Sequence, residues 1–296
     1  MRVPIALLFA PILVAQTHSN VAGRDVAIWK PAGPAPASGF PLILFSHGFT
    51  GCNTQSRFLM EALARSGYLA AAPNHRDARC GTARGRPHGP LRGDESFFKP
   101  DRWSSRNYQD RGADMTAVLD AIVHEKSLEG LPVHASRIGV CGHSLGGYTA
   151  LGLAGGWPSW KDPRYKAVLV LAGYVNPYVM KGNLGRLDVP VMYQGGTLDL
   201  GTTPQARRFQ GAYDRSAAPK YYVEFDGAGH LAWTDLNAAA THSAARRSEL
   251  PQGAIGSRHG GREEVTSRRP PRLPPSDLRV RCRPHWESPR RLPGDR

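Results

Sequence analysis

The sequence predicts an α/β fold: a mostly parallel central sheet with helices on both faces. Three observations carry this. Short apolar runs alternate along the chain with segments of helical period. Those runs are nearly continuous in apolar residues, which is the pattern of strands buried on both faces. The chain also has the size for one large core, with 296 residues of which 41% are hydrophobic.

Residues 1–15 carry one Arg, a short apolar run and small residues near Ala15. They read as a secretory signal peptide, too short to span a membrane, with a buried first strand as the alternative. "RDVAIWKPAG" follows as a strand closed by Pro and Gly, and "FPLILFSHG" (40–48) as a buried strand. Over 54–67, Phe58, Leu59, Leu63 and Ala64 recur at helical spacing and the segment ends on Gly67. "YLAAAPNH" is another buried strand. The polar, Arg- and Gly-rich segment 77–106 is long for a structureless loop and reads as a lid or pocket wall built on Phe97, Phe98 and Trp103. An amphipathic helix over 111–128 precedes the strand "SRIGVCGHS" and the small-residue helix "LGGYTALGLAGG". "YKAVLVLAGY", "DVPVMYQGG", "PQARRFQGAYD" and "KYYVEFDGAGH" then give strand, strand, helix and strand.

The net charge of +14 is unevenly spread. From Arg246 onward there are 13 arginines, no lysine and 6 acidic residues, which is half of that charge. This tail has a single aromatic, Trp286, and neither period, so 246–296 is expected to be disordered. Its abrupt Arg/Pro-rich composition resembles out-of-frame translation; a natural basic tail attracted to anionic surfaces is the other reading. The catalytic body is then 20–245. No later segment is apolar enough to cross a membrane, and no nucleic-acid motif accompanies the charge. Cys141 sits inside a strand and reads as a core residue. Cys52 and Cys80 each follow a strand; they either pair as a disulfide or stay separate thiols.

Chemistry concentrates where strands end, as parallel sheets require. Gly142-His143-Ser144-Leu145-Gly146 is a G-x-S-x-G turn between a strand and a helix. Glycines permit the sharp turn that exposes Ser144, and the Leu145 N–H at the helix start can meet a developing oxyanion. A serine needs a base, and His230 in "FDGAGHLAW" lies after the last strand. Asp199, in the loop of "QGGTLDLGTTP", is the acid that would orient it; Asp188 falls before its strand and Asp226 is too close in sequence. In "FSHGFTG", Gly48 permits close approach and the Phe49 N–H is the second oxyanion donor. Histidines and cysteines show no zinc-type spacing, so neither metal nor cofactor is expected.

The order Ser144, Asp199, His230, with "HGFTG", "GHSLGG", "GTLD" and "DGAGH", resembles the α/β-hydrolase branch of cutinase-like polyesterases, platelet-activating-factor acetylhydrolases and dienelactone-hydrolase-like esterases. The resemblance covers about residues 25–240. It implies the α/β-hydrolase fold and a triad of Ser144, Asp199 and His230, with Phe49 and Leu145 as backbone oxyanion donors. It also implies an aromatic after the strand that follows the nucleophile, for which Tyr174 is the nearest match. Leu145 replaces the family's usual Met, and segment 77–106 is longer than polyesterases carry. Phe49, Tyr174 and Trp233 are the expected acyl-pocket residues. The expected activity is that of a secreted or periplasmic, monomeric serine carboxylesterase on short-acyl or polyester substrates. Acetylhydrolase, lipase or acyltransferase chemistry on the same triad is the alternative. A basic-tail binder of anionic surfaces without catalysis is the reading from a different class.

Overall fold

The computed structural model describes residues 14–79, 95–235 and 280–282. Strands β1 (Ala15–Val21) and β2 (Arg24–Lys30) form an antiparallel hairpin. Its two-residue turn, Ala22-Gly23, takes positive φ at both positions (48° and 76°), matching the twist of the paired strands. Then come β3 (Phe40–Ser46), α1 (Arg57–Arg65), β4 (Leu69–Pro73) and α2 (Gln109–Glu125). A two-residue β5 (Ser127–Leu128) folds back on the long β6 (Leu131–His143). Helix α3 (Leu145–Leu151) runs into a π-turn over Gly152–Gly156 and is followed by β7 (Tyr165–Leu171) and α4 (Asn176–Lys181). The chain continues through β8 (Val191–Gly196), α5 (Thr203–Arg207), α6 (Ala212–Arg215), β9 (Lys220–Phe225) and β10 (Val280–Cys282).

The strands lie in the order β1-β2-β4-β3-β6-β7-β8-β9-β10. β4, β3, β6, β7, β8 and β9 are mutually parallel, and the antiparallel pairings are β1/β2, β2/β4, β9/β10 and the short β5/β6. The winding reverses at β3: the chain steps out to β4 and then returns to β6 on the other side. Such a reversal opens a crevice between the carboxyl ends of the two strands, here β3 and β6.

Alternate residues of each strand feed two cores. Val26, Ile28, Leu42, Leu44, Val168 and Val170 face α2, α3 and α4, while Ala27, Trp29, Phe45, Ala70 and Ala72 pack with Met60 and Ala64 of α1. Among the described residues no helix is long and apolar enough to cross a membrane.

Several expectations meet a different outcome. Residues 16–20, directly after the expected signal peptide, belong to β1; its alternating exposure marks an outermost strand. Residues 1–13 of the expected signal lie outside the described residues. The single helix expected over 204–214 is two short ones, because the chain turns too tightly at Gly211, where a Cβ would stand 2.7 Å from the Arg208 and Gln205 carbonyl oxygens. Three residues of the expected disordered tail, 280–282, pair antiparallel with β9, and the rest of 246–296 falls outside the described residues.

Candidate active site

At the β6–α3 junction the backbone has room for nothing but glycine. A Cβ on Gly142 would overlap the carbonyl of Gly146, and one on Gly146 would overlap the carbonyl of Ser46 in β3. Between them Ser144 is held at φ 56°, ψ −117°, a conformation that costs a non-glycine residue on the order of 1–3 kcal/mol. The strain lifts its hydroxyl out of the turn at the start of α3.

His230 and Asp199 reach Ser144 from the ends of β9 and β8. His230 Nε2 lies 3.0 Å from Ser144 Oγ, and His230 Nδ1 lies 3.2 Å from Asp199 Oδ2. Asp199 is buried, and its Oδ1 accepts the N–H groups of Gly201 and Thr202, both at 3.1 Å. The hydroxyls of Thr202 (2.5 Å) and Thr203 (3.2 Å) sit on Oδ2. Burial alone would raise the Asp199 pKa, but hydrogen bonds from His230 and Thr202 win and hold the carboxyl well below its ordinary range. The competing acids are engaged elsewhere, Asp188 with Lys161 and Asp226 with Thr197.

The loop after β3 closes the site from the other side. Gly48 packs beside Ser144: a Cβ there would stand 3.1 Å from His143 Nδ1, 3.2 Å from Gln55 Oε1 and 3.5 Å from Ser144 Cβ. Neither the Phe49 N–H nor the Leu145 N–H has a hydrogen-bond acceptor among the described residues. Behind this loop lies a charged pair from α2 and the β4 end. Arg111, 0% exposed, donates to the carbonyls of His47 (2.7 Å) and Gly48 (3.1 Å) and forks onto Asp77 at 2.8 Å. Asp77 Oδ2 in turn accepts the Thr50 N–H at 3.0 Å. Burial would raise the Asp77 pKa, but the Arg111 guanidinium holds it well below the usual carboxylate range. Burial, followed by the Arg111 charge, pushes His47 well below its ordinary value; the neutral ring donates Nδ1–H to the Gly48 carbonyl (2.8 Å) and accepts the His75 N–H (3.0 Å).

One turn further along α2, Asp114 meets His75 Nδ1 at 3.0 Å, and His75 Nε2 meets Ser46 Oγ at 2.8 Å. This second Ser–His–Asp arrangement is buried, with His75 and Asp114 bordering a cavity other than the one beside Ser144, and it ties β3, the end of β4 and α2 together.

A further chain of hydrogen bonds links the two halves of the site. The Gly48 N–H donates to Gln55 Oε1 (3.0 Å), Gln55 Nε2 meets His143 Nδ1 (3.0 Å), and His143 Nε2 meets the His230 carbonyl (2.8 Å). Burial, with the nearby His230 adding to it, lowers the His143 pKa to about 4, so the ring is neutral at neutral pH and Nε2 carries the proton. The start of α1 holds the loop that follows His230: Ser56 Oγ donates to the Trp233 carbonyl (2.6 Å), and Asp235 accepts the N–H groups of Arg57 and Phe58.

A cavity of about 400 Å³ opens beside Ser144 and His230, lined by Phe49, Thr50, Thr54, Arg57, Leu231 and Thr234. A wider groove of about 960 Å³ runs between α2 and Trp160, remote from Ser144, and Asp120 and Asp162 on its wall are already paired with Arg164. Of the expected pocket residues, Phe49 lines the cavity. Tyr174 stands behind it in a cluster of rings with Phe97 and Trp103, its hydroxyl donating to the Phe97 carbonyl at 2.6 Å. Trp233 does not line the cavity: it packs against Phe225 in the core on the α1 side, and its indole N–H reaches Gln194 Oε1. Of the expected lid aromatics, Trp103 is buried, Phe97 packs edge-on to Phe49, and Phe98 is exposed.

Cys141 is a buried free thiol. Cys52 is disulfide-bonded; Cys80, its expected partner, lies outside the described residues. Among the described residues no group of three His, Cys, Asp or Glu side chains is placed to hold a metal.

Sequence reasoning missed Arg111, Asp77, Gln55 and His143. Arg111 opens an amphipathic helix, where arginine usually faces solvent. The available signal was "NHRD" at the end of a buried strand: a carboxylate there has to find a cation.

The sequence profile of the family described as platelet-activating factor acetylhydrolase, isoform II, matches residues 12–86. Cutinase 2 of Thermobifida cellulosilytica and cutinase cut1 of Thermobifida fusca are each 25% identical to the chain over 202 residues, or 67% of its length. The matched stretch spans 63% and 52% of those cutinases, respectively. An acetyl xylan esterase from Paenibacillus sp. R4 superposes with a TM-score of 0.53 at 20% identity, over 81% of this chain and 86% of that one. A CIB-like hydrolase from Thermoplasma acidophilum gives 0.51 at 15% identity, over 80% and 99%. The mostly parallel sheet, its strand order and the likeness to these solved structures show that the chain has the α/β-hydrolase fold.

Proposed function

We propose that the protein is a secreted serine carboxylesterase acting on short-acyl esters through an acyl-enzyme. The observation that carries this reading is the run of contacts from Asp199 through His230 to Ser144 Oγ, at 3.2 and 3.0 Å. Ser144 Oγ attacks the ester carbonyl while His230 Nε2 takes its proton. The tetrahedral oxyanion is received by the N–H groups of Phe49 and Leu145. His230 then returns the proton to the leaving alkoxide, and a water deprotonated by His230 frees the acid. Asp199 keeps Nδ1 protonated and stabilises the imidazolium.

Two features favour small acyl groups. The Phe49 ring at the cavity is backed by Phe97 and Tyr108, with ring centroids 5.3 and 6.2 Å away, so the wall is filled with aromatics. The acetyl group also recurs in the names of the acetylhydrolase family and of the acetyl xylan esterase. Polyester cleavage is the second reading, favoured by the cutinase similarity and by Leu198, Leu200 and Leu231, exposed on the loops that carry Asp199 and His230. Hydrolysis of p-nitrophenyl esters of increasing acyl length, against Ser144→Ala, tests both. Loss of all activity in Ser144→Ala with a maximum at acetyl or butyryl is the expected result. Undiminished activity in Ser144→Ala overturns the mechanism, and fractionation of a producing cell tests secretion.

A further inference from the structure

The oxyanion loop has one turn of its own, closed by the Gly51 N–H on the Gly48 carbonyl (3.0 Å), and catalysis by backbone N–H groups requires its peptide planes to be fixed in advance. A trans peptide points its carbonyl and the following N–H in opposite directions. Whatever holds the carbonyls of residues 47 and 48 therefore aims the N–H groups of residues 48 and 49. Both carbonyls are held by one side chain. Arg111 lies 2.7 Å from the His47 oxygen and 3.1 Å from the Gly48 oxygen; the latter also accepts from the His47 ring (2.8 Å) and the Gly51 N–H (3.0 Å), so Arg111 alone joins the two carbonyls. The first consequence is visible, since the Gly48 N–H points the other way and meets Gln55 Oε1 at 3.0 Å. The next peptide repeats the geometry, and its N–H, that of Phe49, has no acceptor among the described residues and borders the cavity shared with Ser144. Asp77 completes the clamp: it orients the guanidinium through a two-oxygen fork and holds the Thr50 N–H at 3.0 Å.

We infer that Arg111, paired with Asp77, is the positioning residue of the oxyanion hole: it fixes the peptides on either side of Gly48 so that the Phe49 N–H faces the oxygen formed at Ser144. The inference rests on the reading of Ser144 as nucleophile and Phe49 as donor. A planar guanidinium can serve two carbonyls and a carboxylate at once, whereas a lysine ammonium in the same space cannot match that fork. A fully buried ion pair is a poor source of net stability, so its place behind this loop asks for another account.

The test uses a fluorophosphonate probe, which needs no ester substrate. Ser144 Oγ bonds to phosphorus, the phosphorus–fluorine bond breaks, fluoride leaves, and the hydroxyl proton passes to His230 while the phosphoryl oxygen occupies the hole. Arg111→Lys and Asp77→Asn are compared with wild type and with Met115→Ala, a core variant on the same helix that serves as the stability control. In Arg111→Lys the labelling rate and kcat fall together, by about 10- to 100-fold, less than or equal to the loss of one oxyanion donor. KM stays within about twofold and the pH profile of labelling keeps its shape, because the contacts of His230 are untouched. Asp77→Asn gives a smaller fall with the same signature.

The inference is overturned if labelling in folded Arg111→Lys matches wild type, or if Met115→Ala at equal melting temperature loses as much. It is also overturned if both pair variants fail to fold, since the pair then supports the whole domain rather than the loop. A wild type that is labelled but cleaves no ester sinks the esterase reading and leaves this one standing. A wild type that is never labelled sinks both.

Discussion

His143, the residue before Ser144, donates its Nε2–H to the backbone carbonyl of His230, 2.8 Å away. The turn that bears Ser144 therefore carries a strut for the loop that bears His230. Replacing His143 with Leu removes the side-chain donor to the His230 carbonyl and the nearer partner of Gln55 Nε2, whose other contact is Ser56 Oγ at 3.5 Å. The expected cost is about 1–3 kcal/mol of stability and a several-fold drop in kcat. Urea denaturation and steady-state kinetics on the same preparation check both; a drop in stability with unchanged kcat would show that the strut does not reach the base.

Acid sensitivity follows from the same ring. Burial lowers the His143 pKa from 6.5 to about 4, and also lowers those of His75 and His47. The unfolded chain thus takes up protons before the folded one does, and the stability these neutral rings supply, complete above pH 6.5, drains away as pH falls toward 4. The lowered carboxylates Asp77 and Asp199 add losses only further down, below the ordinary Asp value of 3.8. Melting temperatures between pH 7.5 and 4 should fall from about pH 6.5 downward. His143→Gln, which can donate to the same carbonyl but does not titrate, should flatten that slope.

Asp199→Asn keeps an oxygen for the Gly201 and Thr202 N–H groups but loses the charge beside His230. The fold should survive while kcat drops on the order of 10³- to 10⁴-fold. Circular dichroism alongside kcat makes the distinction, and retention of a tenth of wild-type activity would remove Asp199 from the triad.

Thr202→Val removes the hydroxyl 2.5 Å from Asp199 Oδ2. That hydrogen bond helps hold the Asp199 pKa down, so its loss raises the pKa. Asp199 should then take up its proton at a higher pH than in wild type, with kcat at pH 8 reduced only a few-fold. A carboxyl NMR titration of the two proteins reads the sign directly.

Gly146→Ala tests the close approach of β3 to the nucleophile turn. Its methyl would overlap the Ser46 carbonyl, a backbone atom that no rotamer change can move aside. Destabilisation of about 3 kcal/mol or more, or no soluble protein, is the expected outcome in denaturant titrations. By contrast Gly130→Ala, in the β5–β6 turn, where nothing lies within 4 Å but φ is +76°, should cost about 1 kcal/mol by strain alone.

The parallel sheet was legible because its strands are apolar on both faces, and the meeting of Ser144, Asp199 and His230 because each stands just past one of them. β1 was not, since an outer strand keeps a polar row such as Gln16, His18 and Asn20, and polar alternation after an apolar leader looks like linker. Trp233 was assigned to the pocket because it follows His230 closely, but the single 3-10 turn over 230–233 swings it under the sheet. Arg111 and Asp77 are 34 residues apart and look like surface charges; only the closed fold brings them behind Gly48.

Every residue of α3, from Leu145 to Leu151, is buried, and a Cβ at Gly152 or Gly156 would run into Trp160 or Tyr178. A combinatorial library aimed at new substrates should therefore leave this helix untouched, because its positions offer collapse rather than diversity. The randomised codons belong at Thr50, Thr54, Arg57, Leu198, Leu200 and Leu231, where side chains meet the cavity or the solvent beside it and the scaffold has slack to absorb change.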